Sequence, residues 1–237
     1  MDEPTLDTPR FAPLYAPLLA APEAADGCFV IARAAQSLDG FIATTDGESC
    51  WIGGPEDLAH THRLRSLCDA VVVGSATVRA DNPRLTTRLV PGPSPVRVVL
   101  DTERRLEAHY RVFGEGPETL LLCASGSGDK ATHGAAEVVT VPRGPFGLDI
   151  DAILVTLAAR GLRRILIEGG GITIGNFLRA EALDRLHVTV APLLMGEGVP
   201  AIRLPPANRL ADAKRFAWTT HRLGGDLLLD IPLVRQV

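Results

Sequence analysis

The chain has 237 residues, of which 46% are hydrophobic and 22% charged, so it can bury a core of the size found in ordinary globular proteins. Its formal net charge is −4 and aromatic residues make up 5%, whereas a surface that binds nucleic acid needs basic patches and stacking rings. We therefore expect no nucleic-acid partner.

Membrane insertion and secretion are disfavoured as well. No apolar run approaches the roughly 18 residues that cross a bilayer, and acidic Asp2 and Glu3 stand where a signal peptide is basic. The four cysteines are widely spaced and form no C-x-x-C pair, which favours buried thiols in a reducing compartment over disulfides or a zinc site. We expect a cytoplasmic protein that contacts no membrane and holds no metal.

The first 27 residues differ in composition from the rest of the chain. They contain five prolines among alanines and leucines, and this spacing excludes a long helix. Two interpretations are open: an extended arm that lies on the body or on a partner subunit, or a disordered segment. We divide the chain into an arm, residues 1–27, and a domain, residues 28–237.

From Cys28 onward, strand and helix patterns alternate. Several predicted strands are short, continuous apolar runs, which is typical of strands covered on both faces. The predicted strands are 28–34, 70–74, 96–100, 119–124, 137–141, 164–168 and 186–191.

Two helices and a hairpin complete the prediction. Residues 55–68 begin with Pro55 at a favoured first position, and residues 149–160 have helical apolar spacing between Asp149 as cap and Gly161 as stop. Near the C-terminus, residues 215–222 and 226–231 flank a Gly-Gly turn and predict a β-hairpin. The pattern indicates one α/β domain with a mostly parallel, mixed sheet flanked by helices and an antiparallel C-terminal β-hairpin.

Polar residues concentrate between Ser37 and Arg88, where predicted elements begin or end. Ser37-Leu38-Asp39-Gly40 closes the first predicted strand, and Gly74-Ser75-Ala76-Thr77 follows the second. Ligands of open α/β sheets bind beyond the carboxyl ends of the strands, and loop side chains on a rigid scaffold often carry function. We expect this stretch to line the functional site.

A second local signal is the segment Ile165–Asn176, where an apolar strand ends in Glu168, three glycines follow and a helix begins. Glycines permit close approach of the backbone, and a helix N-terminus offers N–H groups to a phosphate. The segment is not a dinucleotide fingerprint, and Asn176-Phe177 replaces the Lys-Ser/Thr of a P-loop, so an ATPase is not indicated. A glycine-rich turn without a ligand is the alternative.

Single polar residues allow fewer conclusions. Arg65 and Arg88 suit an anion because a guanidinium matches phosphate geometry, although each alone also fits a solvated surface. His60 and His62 do not suggest a metal site, since residues two apart on a helix point to different sides. Gly74-Ser75 lacks the G-x-S-x-G elbow, so hydrolase chemistry has no support.

The motifs together resemble a known family. S-L-D-G, G-E-S-C-W-I and the block from Leu64 to Arg88 are followed in order by V-V-L-D-T, I-E-G-G-G and A-P-L-L-M-G-E-G. Over residues 29–231 the chain resembles the reductase half of the bifunctional riboflavin biosynthesis deaminase–reductase. The resemblance implies a dihydrofolate-reductase-like fold, a homodimer, NADPH as cofactor, and reduction of the ribosyl group of 5-amino-6-(5-phosphoribosylamino)uracil to a ribityl chain.

The resemblance also implies roles for individual residues. The implied substrate contacts are Ser49, Arg65, Leu85, Arg88 and Glu168. The implied cofactor contacts are Ala35, Trp51, Gly74, Thr77, Asp81, Thr102, Gly170, Gly171, Ile172, Thr173, Ile174, Gly175 and Asn176. In this interpretation Arg65 and Arg88 hold the 5′-phosphate, Glu168 acts at the pyrimidine edge, and Asp39 is the candidate acid. The alternative role of Asp39 is to fix the turn after the first strand.

Two departures from the family pattern leave alternatives open. The deaminase half with its zinc signature is missing, so we expect a separate deaminase, and Arg33 stands where the family often has lysine. The rival hypotheses are a related reductase for another pyrimidine or a pterin, and a non-catalytic nucleotide-binding module. NADPH is not distinguished from NADH; a 2′-phosphate would need a cation such as Arg79, Arg104 or Lys130.

Overall fold

The computed structural model describes residues 12–20, 24–49, 52–127 and 130–235. The helices are α1 (Ala12–Leu19), α2 (Pro55–Leu67), α3 (Ser75–Asp81), α4 (Ile150–Ala158) and α5 (Gly171–Arg179). The first seven strands are β1 (Phe29–Gln36), β2 (Phe41–Ala43), β3 (Ala70–Gly74), β4 (Val96–Leu100), β5 (Thr119–Ala124), β6 (Thr132–His133) and β7 (Ala136–Val141). The remaining strands are β8 (Arg143–Gly144), β9 (Gly147–Leu148), β10 (Arg164–Glu168), β11 (Arg185–Val190), β12 (Val199–Pro200), β13 (Thr219–Leu223) and β14 (Asp226–Pro232).

A ten-stranded sheet forms the centre, in the order β13-β14-β11-β1-β10-β3-β4-β5-β7-β6. The strands from β11 to β7 in this order run parallel. β14, β13 and β6 run antiparallel to their neighbours. The predicted mixed sheet with a C-terminal antiparallel hairpin is therefore confirmed.

The seven strands predicted before the hairpin all form, with ends that differ by at most two residues. α2 begins at Pro55, and Asp149 caps α4 by accepting a hydrogen bond from the Ala152 N–H at 2.8 Å. The first strand of the predicted hairpin is shorter than expected, since β13 begins at Thr219. Its pairing with β14 stops at Asp230, short of Pro232, which has no N–H to extend the ladder.

The two faces of the sheet bury separate clusters because side chains alternate along each strand. On β1, Val30 and Ala32 join the cluster that contains α4 and α5, whereas Ile31 joins the cluster that contains α1 and α2. Of the functional residues described below, Arg65 and Glu168 lie on the face that carries α2, whereas Thr173 and Asn176 lie on the face that carries α5.

The arm contains a helix where the sequence predicted an extended or disordered segment. Residues 12–19 form α1, in which Leu14, Tyr15 and Leu18 are buried. Pro17 removes one N–H from this single short helix, and burial of a large apolar side chain, worth about 1.5–3 kcal/mol, offsets that loss. Residues 1–11 and 21–23 of the predicted arm lie outside the described residues.

None of the helices in the described ranges combines the length and hydropathy that a bilayer span requires. Cys28, Cys68 and Cys123 are buried and free, and Cys50 lies outside the described part. Burial is the main cause that raises the pKa of the Cys28 thiol to about 11, so this thiol is poorly reactive at neutral pH.

Candidate active site

A cavity of about 520 Å³ opens where β1, β3 and β10 end at their carboxyl ends, next to α2 and α3. This is the position predicted from the distribution of polar residues. Eight of the predicted site residues line it: Ala35, Ser49, Arg65, Thr77, Asp81, Leu85, Glu168 and Gly170.

Glu168 and Arg65 form a buried, two-pronged ion pair in the cavity wall. Arg65 Nε donates to Glu168 Oε1 at 2.7 Å and Arg65 Nη2 donates to Oε2 at 2.6 Å, while Nη1 donates to the Thr86 carbonyl oxygen at 3.0 Å. Burial opposes the charge of Arg65, but the Glu168 carboxylate outweighs this effect and raises the pKa of Arg65. The fork of Arg65 is therefore used inside the protein, and its first role is to orient Glu168.

Arg88 lies beside this pair but not in the cavity wall. Its side chain is exposed, and partial burial, followed by the nearby charges of Arg65 and Arg84, lowers its pKa. Within the described residues no carboxylate forms an ion pair with Arg88. Its guanidinium is thus better placed than that of Arg65 to take a phosphate from solvent.

His62 holds the loop that carries Arg88. The Arg88 backbone N–H donates to His62 Nδ1 at 2.9 Å, so Nε2 carries the proton of the neutral ring. Burial, and then the charges of Arg65 and Arg88, lower the pKa of His62 to about 4. Sequence reasoning considered His62 only as a metal ligand and missed this role.

Two hydrogen bonds join the loops around the cavity. Ser49 Oγ donates to Asp81 Oδ1 at 2.9 Å, and the Gly170 N–H donates to Thr77 Oγ1 at 3.0 Å. Leu85 is 2% exposed and has a positive φ of 55°, a conformation that costs a non-glycine residue about 1–3 kcal/mol. The loop from Asp81 to Leu85 therefore keeps a strained shape at the cavity.

A second cavity of about 190 Å³ shares Ala76 with the first, so the two are neighbours. Five predicted cofactor residues line it: Gly74, Thr102, Ile172, Thr173 and Asn176. Phe146 covers this cavity and is held by α5, since Asn176 Nδ2 donates to its carbonyl oxygen at 2.9 Å and the Arg179 guanidinium lies 3.3 Å from its ring centroid. Of the cations considered for a 2′-phosphate, Arg104 instead donates to the carbonyl oxygens of Lys130 and Thr132.

Three predicted cofactor residues line neither cavity. Ile174 is fully buried in the core. A Cβ on Gly171 would lie 2.5 Å from the Pro200 carbonyl oxygen, and one on Gly175 would collide with the Arg203 carbonyl oxygen. These two glycines let the segment around β12 pack closely against α5. From the sequence alone, glycines needed for such packing look the same as glycines needed to bind a ligand. Trp51, also predicted at the cofactor, lies outside the described residues.

Asp39, the candidate acid, also lines neither cavity. It accepts hydrogen bonds from Ser37 Oγ at 2.5 Å and from the N–H groups of Met195 and Gly196 at 3.0 and 2.7 Å. The Ser37 bond is the main cause that lowers the pKa of Asp39, against the effect of burial. An ionised, exposed carboxylate that binds a loop is a poor proton donor, so the geometry favours the turn-fixing alternative.

Sequence reasoning missed Asp57 and Thr61, which line the main cavity with Arg65. The three residues are four positions apart on α2 and therefore share one helix face. Once residues 55–68 were predicted as a helix, this four-residue spacing could have identified Asp57 and Thr61 as neighbours of Arg65. Within the described residues no cluster of three or more His, Cys, Asp or Glu side chains is arranged for a metal.

The two neighbouring cavities give room for an elongated ligand. Gly169 and Gly170 present bare backbone to the main cavity, and a Cβ on Gly170 would meet only Thr77 Oγ1, at 3.6 Å. α5 begins next to them at Gly171, and its first N–H groups suit a phosphate. A ligand that extends across both cavities would have its centre near Gly170 and Thr77.

Comparison with known proteins identifies one matching family and several similar sequences. The sequence model of the RibD C-terminal domain matches residues 28–221. The 2,5-diamino-6-ribosylamino-4(3H)-pyrimidinone 5′-phosphate reductase of Methanothermobacter thermautotrophicus is 36% identical over 210 residues, which cover 85% of this chain and 96% of the relative.

Two solved structures extend the comparison. The diaminohydroxyphosphoribosylaminopyrimidine deaminase/5-amino-6-(5-phosphoribosylamino)uracil reductase of Thermotoga maritima superposes with a TM-score of 0.75 at 26% identity, covering 87% of this chain and 57% of that one. Dihydrofolate reductase from Enterococcus faecalis, solved with NADP(H), has a TM-score of 0.50 at 14% identity, covering 86% of this chain and 96% of that one. The second likeness concerns the fold alone, and the predicted dihydrofolate-reductase-like fold is confirmed.

Proposed function

Because this chain belongs to the RibD C-terminal domain family, we propose that it is a reductase that uses NADPH to convert the ribosyl group of a 5′-phosphorylated ribosylaminopyrimidine into a ribityl chain. The observation that carries this proposal is the Glu168 carboxylate, fixed by Arg65 in the wall of a cavity that also contains Gly169, Gly170 and Thr77. In this proposal the substrate and the cofactor meet in that cavity.

Glu168 is the proposed reader of the pyrimidine edge. Arg65 occupies one lone pair on each carboxylate oxygen, and the other lone pairs can accept hydrogen bonds from substrate N–H or hydroxyl groups. Because the pair is buried, such bonds form with little competition from water and have more weight than they would have at the surface.

Arg88 is the proposed phosphate ligand, with Arg84 as its neighbour. Arg65 contributes mainly its charge, because three of its five N–H groups already bind Glu168 and the Thr86 carbonyl oxygen. This division differs from the expectation that Arg65 and Arg88 both hold the phosphate.

The bound nicotinamide would supply the hydride. The residues of this chain hold and orient the two reactants: the start of α5 and Thr77 on the cofactor side, Glu168 and Arg88 on the substrate side. The Ser49–Asp81 hydrogen bond ties the loop after β2 to α3 beside the cavity where the reactants would be oriented.

Two substrates are candidates within the proposed class. The Thermotoga maritima structure is named for the uracil, the product of deamination, whereas the relative that this chain matches over 96% of its length is named for the diaminopyrimidinone. The latter favours reduction before deamination as the second candidate. NADPH in place of NADH, a homodimer, a separate deaminase and a cytoplasmic location belong to the same proposal.

The proposal is tested by following NADPH oxidation with each of the two substrates, prepared fresh. We expect oxidation with at least one of them. Glu168→Gln should lower kcat/KM about tenfold to hundredfold, the range for losing a charged hydrogen bond, and Arg88→Ala should raise KM for the phosphorylated substrate by a similar factor. Arg209→Ala, an exposed arginine outside both cavities, is the control and should have no effect.

Other outcomes would redirect the assignment. Oxidation with a pterin but with neither phosphorylated pyrimidine would indicate a related reductase and would make Arg33 the first specificity residue to test. NADPH binding without oxidation of any candidate would indicate a non-catalytic nucleotide-binding module.

A further inference from the structure

The register of the sheet aligns four polar residues in one row. Asp230 of β14 pairs with His187 of β11, His187 pairs with Arg33 of β1, and Arg33 pairs with Glu168 of β10. Directly paired residues of neighbouring strands point to the same face. The row therefore crosses four adjacent strands on the face that carries α2, and its Arg33 and Glu168 end lines the main cavity.

α2 supplies a partner to three members of this row. Arg65 binds Glu168, Asp57 forms an ion pair with Arg33, and His60 Nε2 lies 3.1 Å from His187 Nδ1. Thr189, two residues beyond His187, donates its hydroxyl to Asp57 at 2.6 Å. The helix is thus held on the sheet through side chains that continue into the cavity.

His60, the α2 partner of His187, also contacts α1. Tyr15 Oη of α1 lies 2.8 Å from His60 Nδ1. One set of neutral tautomers satisfies these contacts: the Tyr15 hydroxyl donates to His60 Nδ1, and His60 Nε2–H donates to His187 Nδ1. His187 Nε2–H then faces Asp230 Oδ1 at 3.3 Å, and Arg185 binds Asp230 with two contacts of 2.5 Å.

The position of Arg33 depends on this arrangement. Its Nε is buried without an acceptor among the described residues, so the Asp57 carboxylate is its described anchor. Asp57 is fixed in turn by Thr189 and by the placement of α2, which His60 sets through His187 and Tyr15. Buried polar contacts that share members in this way couple the position of each member to that of the others.

We propose that Tyr15, His60 and His187 are positioning residues that set α2 against the sheet and thereby hold Arg33, Asp57 and Arg65 in the geometry that the reaction needs. Docking of α1 then determines how productively the substrate is held, although α1 lines neither cavity. The inference rests on the proposed function, since it concerns turnover in the same cavity.

The experiment compares Tyr15→Phe, His60→Gln and His60→Leu with the parent chain. Phenylalanine removes only the hydroxyl, glutamine keeps a donor for His187, and leucine keeps neither contact. The control is Val141→Ala, a core truncation on β7 outside both cavities and on the opposite face of the sheet. Hydrogen exchange of α2 amides is measured without substrate, and kcat and KM are measured with NADPH and the accepted pyrimidine.

We expect Tyr15→Phe and His60→Leu to accelerate exchange in α2 at least fivefold more than in α4, and to lower kcat at least fivefold with KM for NADPH unchanged. His60→Gln should recover part of the loss, and Val141→Ala should lower the unfolding temperature with kcat retained. Unchanged α2 exchange in Tyr15→Phe would overturn the proposal. So would a kcat that follows only the unfolding temperature across all four variants.

The two hypotheses fail in different ways. If the parent chain oxidises no NADPH with any substrate, the proposed function is wrong and the catalytic part of this inference is wrong with it. The exchange of α2 in Tyr15→Phe still shows whether α1 and α2 are coupled, because that measurement needs no turnover.

Discussion

The role of a charged residue in this cavity is decided by its partner. Arg65 and Glu168 are about nine-tenths buried, and each would be an uncompensated charge without the other. Removing one partner of a buried ion pair typically costs 3–5 kcal/mol, whereas replacing both by apolar groups can be close to neutral. Loss of activity on mutating either residue therefore mixes catalysis with stability unless stability is measured too.

This pairing makes a quantitative prediction. Arg65→Met should lower the free energy of unfolding by about 3–5 kcal/mol, because it leaves the Glu168 carboxylate buried and alone. Adding Glu168→Gln should recover at least about 1 kcal/mol, which a double-mutant cycle measured by urea unfolding would detect. Strictly additive losses would mean that the two side chains do not stabilise each other.

The sequence predicted strands and helices better than it predicted the contacts between them. The strands were predicted because continuous apolar runs such as Val71-Val72-Val73 are covered on both faces, a local property that sequence alone records. α1 was missed because prolines make its intrinsic helix preference poor, and the burial of Leu14 and Leu18 that stabilises it is a tertiary effect.

The sequence predicted the location of the site better than it predicted the role of each residue in it. Glu168, Thr77 and Gly170 were expected at the cavity and line it. The polar row was not predicted, because His187 and Arg33 become neighbours only when β11 pairs with β1, and the order of parallel strands is not written in any local pattern. Asp39 was assigned a chemical role from resemblance, while its partners at Met195 and Gly196 belong to a distant loop.

The glycines of α5 illustrate how one motif can serve two purposes. Gly169 and Gly170 face the main cavity, whereas Gly171 and Gly175 face the segment from Pro200 to Arg203. We expect Gly175→Ala to destabilise the protein by about 1–3 kcal/mol, the range for overpacking, even though alanine favours a helix by up to about 1 kcal/mol.

Thermal unfolding of Gly175→Ala measures this effect, and Gly225→Ala is its matched control, because a Cβ there meets nothing within 4 Å. We expect the control to unfold within a degree or two of the parent. If Gly175→Ala instead weakened NADPH binding and left stability unchanged, the helix glycine would belong to the cofactor site and the packing explanation would be wrong.

At the scale of the whole molecule, three buried histidines connect its stability to pH. His60, His62 and His187 are fully buried, and burial is the main cause that lowers the pKa of each from its ordinary value of 6.5. The charges that face His60 are those of His187, Arg33, Asp230 and His221. His187 faces Asp230, Arg185 and His221, and His62 faces Arg65, Arg88 and Glu168.

The direction in which stability changes with pH depends on whether the folded or the unfolded chain binds more protons. Above about pH 6.5 these rings are neutral in both states, and their contribution to stability is fully present. As the pH falls below 6.5, the unfolded chain takes up protons that the native chain refuses, so native stability is lost. The slope approaches about 1.4 kcal/mol per pH unit for each histidine. For His62 the loss continues down to about pH 4, where the native ring is protonated.

We therefore expect the free energy of unfolding, measured by urea denaturation between pH 7 and pH 5, to fall with decreasing pH. His60→Gln should reduce the slope of this fall by up to about 1.4 kcal/mol per pH unit, the contribution of one proton. His109→Gln, a replacement of an exposed histidine outside both cavities, is measured alongside as the surface control. Equal slopes in the parent and in His60→Gln would mean that His60 accepts a proton in the native state. The hydrogen bonds along the row would then have to form with a charged ring, and the neutral tautomers assigned to Tyr15, His60 and His187 would be wrong.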